Sequence, residues 1–216
     1  MKRNEVMNIL NFRHACKEFD VNKTIDSQDL KVILEGGRLA PSSVGIEPWH
    51  FIVVENKEFK NELAPVCPGS YKQIPTCSHF LILLTRTPNE IKYESEYINH
   101  LLKEEHKHPE ETYNAVKGYI KSVNELFKND NEMQAYSNEQ TYIALSSIML
   151  TAAMLGIDSC AIGGINKKAV TKMLVDKGLL DTNKFEVTLG CALGYRVKEA
   201  TPKRRQSFDE VVTIVK

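Results

Sequence analysis

Residues 140–156 read QTYIALSSIMLTAAMLG. The polar residues between Tyr142 and Leu155 are small, namely Ser146, Ser147 and Thr151. A helix here is apolar on nearly every side, which is the pattern of a helix buried all round. The segment is shorter than the roughly 20 apolar residues needed to span a bilayer. Gly156 supplies the left-handed residue that commonly ends a helix. Such a helix belongs at the centre of a fold, covered by its own chain or in part by a second subunit.

Strands are expected on both sides of it. HFLILLT at 79–85 is almost wholly apolar, as expected of a central strand covered on both faces. WHFIVVEN at 49–56, bounded by Pro48 and Asn56, reads as another strand, with Trp49 in the core. A short strand at about 158–162, FEVTLGCALGY at 185–195 and a strand-like EVVTIV at 210–215 follow the helix. Helices are expected at about 3–12, from Asp26 or Ser27 up to Pro41, at about 57–65, and from an Asn166 cap. PSSVGIEP and VCPGSYKQIPTC read as loops. The polar stretch from 89 to about 130 reads as one or two exposed helices with a turn at Pro109. No linker, internal repeat or low-complexity tract divides the chain, so residues 1–216 are expected to form one domain.

Composition removes several classes of function. With 28 basic and 28 acidic residues, no net field draws the protein to nucleic acid or an anionic membrane. The start lacks the apolar stretch of a secretory signal, and no membrane span follows. The five scattered cysteines, Cys16, Cys67, Cys77, Cys160 and Cys191, have no zinc-site spacing. They predict reduced thiols in a cytoplasmic protein. His106 and His108 lie two apart, a spacing that does not share a helix face, and are expected to face solvent. No metal site is expected. Cys16 beside His14, or Cys160, could be imagined as a nucleophile, but neither lies in a hydrolase motif, and buried packing is the expected role.

The remaining signal is charge placed at both ends. Arg13, His14 and Lys17 lie in RHACKEFD at 13–20, and Lys203, Arg204 and Arg205 in TPKRR at 201–205. Turn-rich segments lie between them: APSSVGIEPWHF at 40–51 and SCAIGGIN at 159–166. Cations gathered from distant parts of a neutral chain suit one anionic ligand, and a phosphate is the simplest, because guanidinium groups meet its oxygens in a fork.

Taken in order, RHACKEFD, PSSVGIEPWHF, QTYI, GIDSCAIGGI, LGCALGY and TPKRR make the chain resemble the nitroreductase superfamily over almost its whole length. The resemblance is closest to the oxygen-insensitive NAD(P)H nitroreductases, a group that includes flavin and dihydropteridine reductases. It implies an α+β subunit with a mostly antiparallel central sheet flanked by helices. It also implies an intertwined homodimer with one FMN at each of two interface sites. By position, Arg13, His14 and Ala15 would meet the flavin phosphate and ribityl chain, joined by Lys203 and Arg205. Lys17 matches a lysine near the pyrimidine edge, where an ammonium group favours the reduced flavin. Gly163 and Gly164 would bring backbone N–H groups near the ring, using glycine's tolerance of unusual dihedrals and close approach. Ser42, Ser43, Gln140 and Ile143 match positions that touch the partner subunit's flavin. Ser70 and Gln73 fall where relatives carry an asparagine and a lysine; Gln73 cannot supply that charge, and Lys72 could if the loop turned differently. Gly45, Glu47 and Gly163 also depart from the family pattern.

The activity so implied is ping-pong transfer of hydride from NAD(P)H through tightly bound, non-covalent FMN to nitroaromatic or quinone acceptors. No GxGxxG motif offers NAD(P)H a site of its own. The alternatives are a flavin or dihydropteridine reductase, and an FMN-binding redox sensor without turnover. The sequence leaves open the physiological acceptor, the choice of NADH or NADPH, and the role of residues 89–130.

Overall fold

The most apolar strand of the sequence lies inside the sheet. In the computed structural model, which describes residues 2–216, four strands are formed: β1 (Trp49–Val54), β2 (His79–Arg86), β3 (Asp158–Ile162) and β4 (Phe185–Gly194). They are ordered β1-β2-β4-β3, and every neighbouring pair is antiparallel. The chain is thus α+β, as expected. Side chains alternate across β2 with the period of two of a pleated strand. Phe80, Ile82 and Leu84 join one core with Phe19, Phe59, Leu63 and Leu174. Leu81 and Leu83 join a second core, on the other face, with Ile33, Ile148 and Leu189.

The described residues also form ten helices. On the N-terminal side are α1 (Arg3–Phe12), α2 (Ser27–Arg38), α3 (Lys57–Leu63) and α4 (Gln73–Thr76). Next come α5 (Pro88–Ile91), α6 (Glu96–His100), α7 (Glu110–Asn124) and α8 (Asp130–Met154), then α9 (Lys167–Asp176) and α10 (Phe208–Val211). Caps set several starts as the sequence suggested. Asp26 accepts from the Gln28 amide at 2.8 Å, Asn56 from the Phe59 amide at 2.7 Å, and Asn166 from the Ala169 amide at 3.2 Å.

Five expectations need correction. Helix α8 is longer than residues 142–155, because Asn129 caps it by accepting from the amides of Asn131 and Glu132. It is also not buried all round: Ile148 and Ala152 are fully covered, whereas Tyr142, Ile143 and Met154 are exposed. Residues 89–130 are not simply exposed helices. They include a π-helical turn at Leu101–Glu105 and bury Ile91, Ile98, Leu102, Tyr113 and Ile120 in a further core with Ile46 and Met133. The segment VCPGSYKQIPTC includes the short helix α4. The final EVVTIV is not a strand: it begins inside α10 and continues, among the described residues, without pairing in the sheet.

Helix α2 packs closely on α8 because two glycines face it. A Cβ on Gly36 would lie 2.9 Å from Thr151 Cβ, and one on Gly37 would lie 2.6 Å from Ile148 Cγ1. Gly118 in α7 has nothing within 4 Å of its missing Cβ. Alanine therefore has opposite effects at the two sites. Gly118→Ala gains about 0.5–1 kcal/mol from helix propensity alone. Gly36→Ala gains the same but must separate two packed helices, at about 1–3 kcal/mol. Denaturant titration is expected to show Gly118→Ala more stable and Gly36→Ala less stable than the parent.

Candidate functional site

Strand pairing brings the two ends of the chain together. After α1 the backbone runs beside β3: Ala15 forms a parallel bridge with Ser159, and the Cys16 amide donates to Ser159 O at 3.1 Å. The chain leaving β4 pairs with the same segment, through an antiparallel bridge between Phe19 and Arg196. Residues 201–205 then come back over Arg13. The resulting cleft, about 780 Å³, has Arg13, His14 and Ala15 on one side and residues 201–205 on the other. A second cleft of about 390 Å³ shares His14, Ala15 and Thr201 with it and adds Lys17, Lys72, Glu18 and Glu199, with Lys72 3.7 Å from Glu18.

Among the described residues no acidic side chain lines the larger cleft. Its cations therefore repel one another. The Lys203 ammonium donates to the carbonyls of Arg13 and Asn11, the latter at 3.3 Å. Burial holds its pKa below the ordinary value, and Arg13, Arg205 and Arg196 depress it further. His14 is likewise held low, by burial first and then by Arg196, with Asp158 opposing both. Such a cluster favours an anion. A cleft of about 380 Å³ between α2 and β1 lacks this imbalance, since its Arg38 is paired with Glu35 at 2.9 Å.

Asp158 and Arg196, which contact His14 and Phe12 beside the cleft, are not singled out by the motifs. Asp158 is 3% exposed and accepts from the Arg196 amide at 2.9 Å and from its guanidinium at 2.7 Å. Asp158 is a lone acid opening an apolar strand and Arg196 directly follows LGCALGY, but nothing local in the sequence pairs them.

The other expected residues fall into three groups. Lys17 is exposed and lines the smaller cleft, and its ammonium works against the burial that raises the Cys160 thiol. Gly163 and Gly164 follow β3 without the unusual dihedrals expected of them, for neither has a positive φ. Gly163 instead leaves open space where a Cβ would stand, and a Cβ on Gly164 would come within 3.0 Å of Pro68 O. Ser70 and Gln73 turn inward: both are buried, Ser70 donating to Cys67 O at 2.6 Å and Gln73 to Gly69 O at 3.4 Å. Lys72, not Gln73, lines the cleft.

Ser42, Ser43, Gln140 and Ile143 gather elsewhere and line neither cleft of this chain. The Ser43 amide donates to Gln140 Oε1 at 2.9 Å, and Ser42 Oγ accepts from the Glu47 amide at 3.0 Å. Val44 and Glu47 hold left-handed backbone, at φ 48° and 39°. His106 steadies this loop rather than facing solvent, its Nε2 lying 2.8 Å from Glu47 Oε1. Among the described residues no cluster of His, Cys, Asp and Glu could hold a metal. All five cysteines are free and buried, and burial pushes the Cys16 thiol up to about 11, which suits packing rather than attack.

The family model described as "Nitroreductase family" matches residues 10–195. This chain belongs to that family. Among nitroreductase relatives, the Bacillus subtilis protein named "Putative NAD(P)H nitroreductase YfkO" is 41% identical over 217 residues, covering 97% of each chain. A Staphylococcus epidermidis relative with the same description is 42% identical over 212 residues, covering 96% of each. The solved nitroreductase-like protein of Streptococcus mutans superposes with a TM-score of 0.83 over the whole of both chains at 22% identity, a likeness of fold. A solved S. epidermidis protein described as a "putative NAD(P)H:FMN oxidoreductase" has a TM-score of 0.81 at 25% identity, covering 100% of this chain and 98% of its own. No helix among the described residues is long and apolar enough to cross a membrane.

Three histidines give this nitroreductase a defined response to acid. His14, His50 and His79 all have pKa values lowered chiefly by burial. Unfolding returns each to about 6.5. In acid the unfolded chain therefore binds more protons than the folded one, and stability falls as pH falls. The thermal midpoint of the flavin-free protein is expected to be flat above about pH 6.5 and to drop as the pH passes down through the depressed values. His50→Gln should make that drop shallower. An equally steep drop in the variant would contradict this assignment.

Proposed function

We propose that this chain binds FMN and uses it to pass hydride from NAD(P)H to nitroaromatic or quinone acceptors, in ping-pong order. The observation that carries the reading is the cleft where Arg13, His14, Lys203 and Arg205 meet with no acidic side chain among its lining residues. These residues fit a phosphate dianion, which needs compensating charge and several donors. The open space at Gly163 lets a flat ring approach the backbone at the end of β3. A phosphate clamp without a dinucleotide fingerprint favours FMN over FAD. When bound, FMN supplies the hydride acceptance and release, so no side chain need act as nucleophile.

The protein's residues then bind, orient and polarise. Arg13, His14, Ala15, Lys203 and Arg205 hold the phosphate end. Lys17 acts on the ring as the catalytic cation, and Lys72, from the same cleft, adds charge that Gln73 cannot. Ser42, Ser43, Gln140 and Ile143 complete the site of a second copy. The homodimer this requires is supported by apolar surface with no cover in one chain. Helix α1 buries no residue, and Met7, Leu10, Tyr142, Met154, Phe208 and Ile214 are all exposed. The relatives named for NAD(P)H nitroreductase activity support the donor. A solved Exiguobacterium sibiricum protein of the same fold, 23% identical with a TM-score of 0.81 over 97% of each chain, is described in complex with FMN. Five free, buried cysteines suit a cytoplasmic enzyme.

Heat release of the cofactor followed by mass measurement tests the choice of flavin, and an adenine-containing product would overturn it. Lys17→Met tests the role of the lysine. That variant should keep FMN, show a more negative two-electron potential and reduce more slowly with NAD(P)H. Each 1.4 kcal/mol of lost stabilisation lowers the potential by about 30 mV. An unchanged potential would move the tuning to the backbone at Gly163 and Gly164.

A further inference from the structure

An ion pair between buried Asp158 and half-buried Arg196 lies beside the cationic cleft and ties its two halves together. Asp158 opens β3, and Arg196 lies two residues beyond the end of β4. The Arg196 guanidinium reaches both Asp158 oxygens, with Nε at 2.9 and 3.0 Å, while its amide donates to Oδ2 at 2.9 Å. Its Nη2 also donates to Phe12 O at 3.2 Å, and the guanidinium lies 4.2 Å above the Phe12 ring. Phe12 leads straight into Arg13 and His14. A charge pair this well bonded would be costly to break from one side, since the survivor is left buried and unpaired.

The same carboxylate reaches a member of the cleft. His14 Nδ1 lies 3.3 Å from Asp158 Oδ1 and 3.4 Å from Phe12 O. Both neighbours are acceptors, so the proton of the neutral ring belongs on Nδ1, and Nε2 is left bare. His14 lines both clefts, so the bare nitrogen is the one available to a ligand. A bare Nε2 is an acceptor, and so is every oxygen of a phosphate dianion. The two can bond only if the ring gains a proton.

We propose that Asp158, clamped by Arg196, is a positioning residue for phosphate recognition. It holds His14 in the Nδ1–H form, so that arrival of the phosphate is coupled to proton uptake at Nε2. This rests on reading the cleft as the FMN phosphate site. The charged groups around the ring agree with it. Arg196 and Lys203 disfavour imidazolium while the cleft lacks an anion, and Asp158 favours it. Arg13 and Arg205 stand beside Lys203, and Glu199, 3.7 Å from Arg196, is almost fully exposed. A dianion offsets the repelling cations and offers Nε2–H an acceptor. Replacing Asp158 with Asn removes the charge and lets its amide donate to Nδ1. The ring can then carry its proton on Nε2 and bind phosphate without gaining one.

Nitrogen-15 NMR of labelled histidine in the flavin-bound protein tests this, comparing bound FMN with riboflavin exchanged in its place. The expected result at pH 7 is a neutral, Nδ1-protonated His14 with riboflavin and a doubly protonated ring with FMN. In Asp158→Asn the FMN form should show a single proton, and the preference for FMN over riboflavin should fall on the order of tenfold. If that variant does not fold, the wild-type tautomer decides, together with His14→Gln, which should lose FMN preference to a similar degree. A neutral ring with bound FMN, an Nε2–H tautomer with riboflavin, or an unchanged preference in both variants would overturn the proposal while leaving FMN binding intact. A protein that takes up neither flavin would overturn both.

Discussion

Arg205→Ala is expected to purify largely without flavin while remaining folded. Arg205 lines the larger cleft and is exposed, its only hydrogen bond among the described residues being to the neighbouring Arg204 carbonyl at 2.7 Å. It supports no packing that its loss would disturb. Its value lies in charge-assisted bonds to the ligand, worth about 1.5–3 kcal/mol, hence on the order of tenfold to a hundredfold in FMN affinity. Flavin fluorescence recovered on dilution measures this, with the thermal midpoint of flavin-free protein as control. Full flavin content and unchanged dissociation would reduce residues 203–205 to a solvated loop.

Ile143→Glu is expected to yield a monomer without cofactor. Ile143 is exposed on α8 in a single chain, one turn from the Gln140 that receives the Ser43 amide. In the proposed homodimer that surface is covered and lies against the partner's flavin. A carboxylate forced into such an interface without a partner costs several kcal/mol, which exceeds what a side chain gains by remaining there. Light scattering should report half the parent's mass, and absorbance near the flavin bands should vanish. A variant that stays dimeric with its flavin would place the interface elsewhere.

What could be read from the residues was local. Helix α1 ends at Phe12, α9 starts from Asn166, and β2 spans the apolar run at 79–85, because caps and uninterrupted apolar stretches act within a few residues. The first half of α8 was missed because its buried residues, Met133 and Ser137, are scattered among Asn and Glu. The core under α6 and α7 was missed for the same reason: Ile98, Leu102, Tyr113 and Ile120 are separated by lysines and glutamates that face outward. The apolar character of α8 was legible in composition, but composition does not say which of its faces a single chain leaves bare. In the site, the cationic motifs were legible because residue type carries their chemistry. The Asp158–Arg196 pair was not, since it joins residues 38 apart through the meeting of two strand ends.

The central claim is that the cleft between the two ends of the chain holds a flavin that NAD(P)H reduces. Anaerobic titration of the purified protein with NADH and, separately, NADPH tests it most directly. The account predicts a yellow protein whose visible bands bleach on addition of about one equivalent of at least one donor and return when a quinone is added. A colourless protein that gains no flavin from added FMN, or a yellow one that neither donor bleaches, would contradict it.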